Sequence, residues 1–521
     1  MEKYDVIVVG AGNGGLSAAD FACQRGLKTI IFEKHNLPGG AVSSFRRGRF
    51  EFEPSIHEMC EVGSPEKPGP SRQLFKDLDA RVDLVYEDSC YTVICTDPAG
   101  SFKVKLPCGI DNFCQAVENE VPGSGDKVRN FLEYQKRAMV EAFKLDHKEF
   151  HLKDLPEIMN LFRMLSFPTD FIFGCFKIPK KAQHLITPYW TYVGEPTSPI
   201  CPFMMGMMDY CYMTDGAGLP SMFSHEFSLA IDDAIRRHGG KIFYNTPVTK
   251  ILIKDKKAYG VIAGGKTYYA DHIICNCFPN DVFGHMVDKE EVPLVENLKA
   301  NARKLSCSFV NVHLGLNRSI EQLGIKDYST FIIKHGDSTE QYKECQGGGS
   351  GGFVIANVLN TVIPECSPAD TTHMSLTTAV YGDDWGKIAP EQNKKTKMKI
   401  ASEMIDYYEK STGITIKPYI EEIEVATSVT YSRYLGTPNG TPYGYQTTNW
   451  DGIFLRTMNL AKERTIKGLT FVGAREFINL MSERKKKFKE SSHLSIPEEY
   501  PVNLLAQRLH PAVQNVKITK I

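Results

Sequence analysis

No two cysteines in this chain stand in a Cys-x-x-Cys spacing, although fourteen are present, and no cysteine–histidine group has zinc-site spacing. No metal is therefore expected. Scattered thiols of this kind predict reduced, mostly buried side chains in a cytoplasmic protein, with Cys275-Asn276-Cys277 as strand and loop residues. Charge of one sign is also lacking: 61 basic residues face 62 acidic ones, which argues against a nucleic-acid footprint. The most apolar stretch, 155–178, is broken by Glu157, Arg163, Pro168, Asp170 and Lys177, so no uninterrupted membrane span is expected. No basic leader precedes the first strand, and a signal peptide is not expected. A peripheral contact with a bilayer stays open. Glycine is missing from Arg475 onward. At 521 residues the chain exceeds what one core organises, and two or three subdomains are expected.

What is present begins with a buried strand, Tyr4 to Val9, that runs into Gly10-Ala11-Gly12-Asn13-Gly14-Gly15 and then a helical stretch, Leu16 to Ala22. The glycines at 10, 12 and 15 predict a tight turn, a close backbone approach to a pyrophosphate and a helix packed hard on a strand. Amides opening that helix would face the phosphates, where the helix dipole favours negative charge. Leu27 to Phe32 reads as a second parallel strand ending at Glu33. An acid at that place can accept hydrogen bonds from ribose hydroxyls and would repel a 2′-phosphate, so NADP is disfavoured.

After Glu33 come Lys34, His35, Asn36, Leu37, Pro38, Gly39, Gly40, Ala41 and Val42, then Phe50-Glu51-Phe52-Glu53-Pro54-Ser55-Ile56-His57. This resembles the extended signature of the flavin amine oxidase superfamily, and within it the phytoene desaturases, retinol saturases and carotenoid isomerases. Their Phe-Asp-x-Gly-x-His pattern is met here with Glu53 for the Asp and Ser55 for the Gly. The resemblance implies FAD as cofactor, with Gly10, Gly12, Asn13, Gly14, Gly15, Glu33, Lys34, Gly39, Gly40, Ala41 and Val42 along it. It also implies that Val248, after the helix Phe223–Ile235 and the Gly239-Gly240 stop, contacts the adenine through its backbone, and that Gly473 closes the site.

The fold implied is α/β: a Rossmann-type FAD-binding domain, a parallel sheet with a three-stranded β-meander, interleaved with an α+β substrate domain. By analogy residues 1–74, 216–279 and 461–474 form the first, and 75–215 and 280–460 the second. Residues 475–521 are set apart as an atypical tail, because relatives continue after Ala474 with a glycine-rich turn facing the flavin. A divergent helix and a changed reading frame both account for it. In the substrate domain, Ser306 to Leu316 reads as a strand whose His313 is a satisfied sheet histidine. The Met- and aromatic-rich run Pro202 to Met213 reads equally as core filling or as a lipophilic channel. Gly347 to Gly352 reads as a turn before a strand.

A second resemblance to retinol saturases lies in Ala426 to Tyr445, with Tyr431, Arg433, Tyr434, Tyr443 and Tyr445. It favours a pocket over a plain aromatic loop. The catalytic group is not identified by sequence; His57, Arg433 and Tyr443 are candidates through motif proximity. The function implied is an FAD-dependent oxidoreductase acting on C=C or CH–CH bonds of a lipophilic isoprenoid or polyene. A redox-neutral carotenoid isomerase, an amine oxidase and an inactive flavoprotein remnant are the alternatives.

Overall fold

A computed structural model describes residues 3–473, apart from 65, 67, 88, 148–155, 199, 201, 347–350 and 447–464. The expected tail from Arg475 onward, with Ala474, lies outside these residues. Strand β1 (Lys3–Val9) leads into helix α1 (Asn13–Gln24) and β2 (Thr29–Phe32), then a short hairpin of β3 (Phe45–Arg47) and β4 (Phe50–Phe52) and the two-residue β5 (Met59–Cys60). Next come β6 (Leu84–Glu87), β7 (Ser89–Cys95) and β8 (Phe102–Pro107), a helical stretch that includes α2 (Gly125–His147), α3 (Trp190–Val193) and α4 (Pro202–Asp215), and β9 (Ala217–Pro220). Helix α5 (Phe223–Arg237) and strands β10 (Lys241–Phe243), β11 (Val248–Lys254), β12 (Lys257–Ala263) and β13 (Lys266–Cys275) follow. The elements after these include β14 (Ser308–Leu316), β15 (Ser329–Ile333), β16 (Phe353–Val358), β17 (Thr372–Val380), α6 (Pro390–Thr412), β18 (Ile420–Ala426), α7 (Ser428–Leu435) and β19 (Leu469–Phe471).

Two seven-stranded sheets organise these elements. The first runs β10-β2-β1-β13-β12-β11, with β19 added on β13. Its β10, β2, β1, β13 and β19 are mutually parallel, while β11, β12 and the start of β13 form an antiparallel meander. Strands buried on both faces read as unbroken apolar runs, as Val6 to Val9 and Ile30 to Phe32 do. Helices α1 and α5 cover one face through Leu16, Phe21, Phe227, Ile231 and Ile235.

The second sheet runs β18-β14-β17-β16-β15-β7-β8, antiparallel except for the β15–β7 pair. One face is apolar throughout (Val310, Val312, Leu314, Ile332, Val354, Met374, Leu376) and packs on Ile400, Ala401 and Met404 of α6. The opposite face is divided. Towards β7, Tyr91, Val93, Phe331, Phe353 and Ile355 join an apolar cluster with α2 and α4. Towards β14 it turns polar: Ser329 pairs opposite Asn357, Asn357 opposite Ser375, and Ser375 opposite His313, a polar row across four strands.

Helix α4, the methionine-rich run, sits inside the apolar cluster with Met204, Met205, Met207 and Met213 buried. Core filling accounts for those side chains. Gly351 and Gly352 precede β16 as a turn would, and the rest of that glycine cluster lies outside the described residues.

Candidate functional site

The parallel strands β1, β2 and β13 end together, and a cleft of about 340 Å³ opens beside their carboxyl ends. Crevices form there in open α/β sheets because the loops separate to opposite faces. The glycine turn lines the cleft through Gly10, Gly12, Asn13 and Gly14. Gly10 takes φ +96°, a left-handed conformation that a side chain disfavours. Gly15 is not in the wall; a Cβ on it would lie 2.1 Å from the Gly10 carbonyl oxygen, so this glycine lets α1 press onto β1. Helix α1 is capped by Gly12, which has no side chain to satisfy the helix's first amides. Those amides stand at the cleft as an anion-binding terminus.

Glu33 is buried at the end of β2, and its two oxygens accept hydrogen bonds from the Ala11 amide (2.6 Å) and the His35 amide (2.8 Å). Each carboxylate oxygen retains acceptor capacity toward the cleft. Lys34 is exposed at the rim. Gly39 donates its amide to the Ala11 carbonyl and, with Gly40, Ala41 and Val42, forms the wall facing the glycine turn. Val248, at the start of β11, closes one end beside Pro247 and Phe32. Gly473, at φ +119°, closes the other. Twelve of the expected cofactor positions, those from Gly10 to Val42 other than Gly15, with Val248 and Gly473, thus border one cleft, and Gly15 shapes it from behind.

Several wall residues were not singled out by sequence reasoning. Asn276 directly follows β13, and its side-chain amide crowds the space a Cβ on Gly12 would take, at 2.4 Å. In the orientation that satisfies both its ends, it donates to the Val472 carbonyl and accepts from the Gly12 amide, each at 3.2 Å. Its place after a parallel strand was the available signal. Ser228 on α5 donates to Asn13 Oδ1 at 2.8 Å. His35 stacks on Tyr434 of α7 with ring centroids 5.8 Å apart and bonds its backbone carbonyl, which ties the rim to the second half of the chain. Leu435, Gly436, Thr437 and Pro442 complete that side.

The three catalytic candidates are dispersed. Arg433 is exposed on α7 and does not line the cleft, which Tyr434 reaches instead. Tyr443 follows Pro442 away from the cleft and packs edge-on against Phe309 of β14, centroids 5.3 Å apart. His57 is buried against the polar half of the second sheet; its carbonyl accepts from the Tyr328 hydroxyl, and its Nε2 has no partner among the described residues. Burial pushes its imidazole down to about 4.

His313 corrects the expectation of a satisfied sheet histidine. It is wholly buried on β14, and neither ring nitrogen has a partner among the described residues. Phe45 and Phe52 flank its ring with centroids 5.3 and 5.9 Å away, so aromatic contact replaces hydrogen bonding. Burial holds it well below its ordinary value, and burial likewise takes His373, on the neighbouring strand β17, down to about 3. Beside them Glu53 is buried, with both oxygens accepting from Ser224 Oγ at 2.6 Å and Oε2 also from the Ser224 amide at 2.8 Å; burial raises its carboxyl.

The sequence pattern of the NAD(P)-binding Rossmann-like domain matches residues 8–78. The chain is 23% identical over 466 residues to prolycopene isomerase 2 of an Oncidium hybrid cultivar, covering 85% of this chain and 75% of that protein. It is 24% identical over 514 residues to the all-trans-retinol 13,14-reductase of Danio rerio, covering 85% and 78%. Its similarity is to enzymes of carotenoids and retinoids. Among solved structures, a redesigned putrescine oxidase superposes with a TM-score of 0.63 over 99% of both chains at 12% identity, which establishes a shared fold. Among the described residues no helix is long and apolar enough to cross a membrane, and no group of three metal-ligating side chains is assembled.

Proposed function

We propose that this chain is an FAD-dependent oxidoreductase acting on C=C or CH–CH bonds of a lipophilic isoprenoid or polyene. The observation that carries the reading is the cleft itself. A helix terminus with no side-chain cap, a glycine turn with no room for side chains and a buried carboxylate stand along it, and they support assigning pyrophosphate, backbone approach and ribose in that order. The residues fit the cofactor: α1 amides and Gly39 to Val42 would hold the pyrophosphate, Glu33 the ribose, Val248 the adenine, and Gly473 with Asn276 the flavin end. When bound, FAD supplies hydride exchange; the protein's part is to orient the polyene and exclude water. Similarity to a prolycopene isomerase and a retinol reductase supports a polyene substrate. It also supports redox-neutral isomerisation as a second reading on the same architecture.

The test is a visible spectrum of the purified protein followed by anaerobic addition of retinoid, carotenoid and amine. Bleaching of a bound flavin by a polyene, or flavin-dependent isomerisation without bleaching, is expected. Bleaching by amines alone would replace the reading with an amine oxidase, and flavin absorbance that no donor or acceptor alters would leave an inactive remnant.

A further inference from the structure

Antiparallel strands β7 and β8 pair without a break from Cys95 opposite Phe102 to Tyr91 opposite Leu106, and there the ladder slips. The next residue of β8 is Pro107, which has no amide to donate. Ser89 stands opposite it, so Cys90 is the extra residue of a bulge. A bulge re-aims a side chain out of the regular alternation. The Cys90 sulfur points along the end of β8, 3.7 Å from the Pro107 carbonyl oxygen and 3.7 Å from the sulfur of Cys108. Two thiols 18 positions apart in the chain are thereby held in contact.

Their surroundings differ. Cys90 is wholly buried, and its carbonyl accepts the Tyr189 hydroxyl at 3.1 Å. Cys108 is half-buried just past β8, its sulfur 4.0 Å from the Glu87 carbonyl oxygen and 3.7 Å from that of Tyr212 on α4. Contact with Cys108, and then burial, holds the Cys90 thiol well above its ordinary value. Cys90 therefore keeps its proton, and Cys108 is the sulfur that a reagent from solvent meets first. A disulfide needs its sulfurs about 2.05 Å apart. Gly109 turns the chain at φ +88°, and within 4 Å a Cβ there would meet only the Asn112 side chain, so the turn has room to bring Cys108 closer.

We propose that Cys90 and Cys108 form a redox-active dithiol, oxidised to a disulfide by hydroperoxides and restored by thiols. Nothing in this chemistry involves the flavin, and it stands whether or not the flavoenzyme reading does. In the first step the Cys108 sulfur bonds to the terminal hydroxyl of the peroxide, the O–O bond breaks, and the other oxygen leaves as water or alcohol with the thiol proton. The product is a sulfenic acid on Cys108. The Cys90 sulfur then bonds to the Cys108 sulfur, the S–O bond breaks, and the hydroxyl leaves as water with the Cys90 proton. The thiol pair is oxidised and the peroxide reduced, an electron pair passing between them. Thiol–disulfide exchange with a dithiol runs the change backwards. The bond closes the β7–β8 hairpin at its bulge, beside Tyr189 and Tyr212, which stack with centroids 4.5 Å apart.

The test uses the full chain, reduced and then freed of reductant, exposed to hydrogen peroxide and in parallel to tert-butyl hydroperoxide. Peroxide is raised until the exposed Cys175 is modified. Alkylation of the remaining thiols and protease digestion should show Cys90 and Cys108 joined in one cross-linked peptide pair, about 2 Da lighter than the two thiols and separated again by dithiothreitol. Cys90→Ser should stop at the sulfenic acid, which dimedone labels on Cys108, and Cys108→Ser should leave Cys90 a free thiol. Cys90 and Cys108 both still free when Cys175 has been oxidised overturns the proposal, as does a cross-link that forms only in urea. Dimedone labelling of Cys90 in Cys108→Ser overturns the order of the two steps. Should a serine variant not fold, the wild-type peptides decide: the cross-link in folded protein supports the assignment, and its absence overturns it.

Discussion

At the scale of single residues, the cleft depends on positions where an atom too many or a charge of the wrong sign is decisive. A Cβ on Gly15 would meet backbone rather than a side chain able to move away. Gly15→Ala should therefore cost about 1–3 kcal/mol and release bound flavin, read as a lowered Tm and a falling absorbance ratio after gel filtration. Glu33→Arg replaces an acceptor with a donor at the ribose position; flavin affinity should drop about tenfold or more, and unchanged retention after dialysis would refute the assignment. His313 yields a prediction with a sign. Its unfolded imidazole gains a proton as pH falls through about 6.5, whereas the folded one stays neutral far below that, so the unfolded state binds more protons and this histidine withdraws stability as pH falls. His313→Phe, set among Phe45 and Phe52, lacks that penalty. Its stability relative to wild type should rise below pH ~6.5 by up to about 1.4 kcal/mol per unit, and a pH-independent difference in urea melts would contradict this.

Among the secondary-structure elements, the β3–β4 hairpin rests on the second sheet through Phe45, Phe50 and Phe52 and through Arg47 and Arg49, which pair with Glu424 and Glu421. Phe50 lies over Gly315 of β14, where a Cβ would come within 2.6 Å of the ring. Gly315→Val should lift the hairpin, destabilise the protein by a few kcal/mol and increase protease cleavage between residues 45 and 53, leaving the first sheet's circular dichroism intact. The sequence showed where elements lie when their signal is local. The β1 turn, Glu33 and the meander were legible because unbroken apolar strands and glycine punctuation are short-range features. His313 was misread because alternation identifies a buried face without revealing what the opposite side supplies. Here that side is Phe45 and Phe52, more than 250 positions away in the chain. Asn276 was missed although its place directly after a parallel strand was a signal, because its approach to the Gly12 turn is a contact across the fold. Ala426 to Tyr445 was half legible: Tyr434 to Thr437 and Pro442 do line a pocket, but helix α7, with Thr427 in a capping box, opens the stretch.

For the molecule as a whole, the cofactor cleft belongs to neither sheet alone. Its walls come from the first sheet's loops and from the stretch Tyr434 to Pro442 that follows the second, joined across the rim by His35. FAD should therefore act as a fastener between the two halves. Titrating FAD into stripped protein should merge two thermal transitions into one and raise stability by about 4 kcal/mol at a thousandfold excess over Kd. Two separate transitions persisting at saturation would contradict this.

The placing of β19 has a temporal corollary. The turn that opens the cleft leaves the ribosome hundreds of residues ahead of Gly473, at the opposite wall. Between those two points the cleft lacks a wall, and until that wall is in place the β1–α1–β2 crossover must survive on its own packing or in the care of a chaperone.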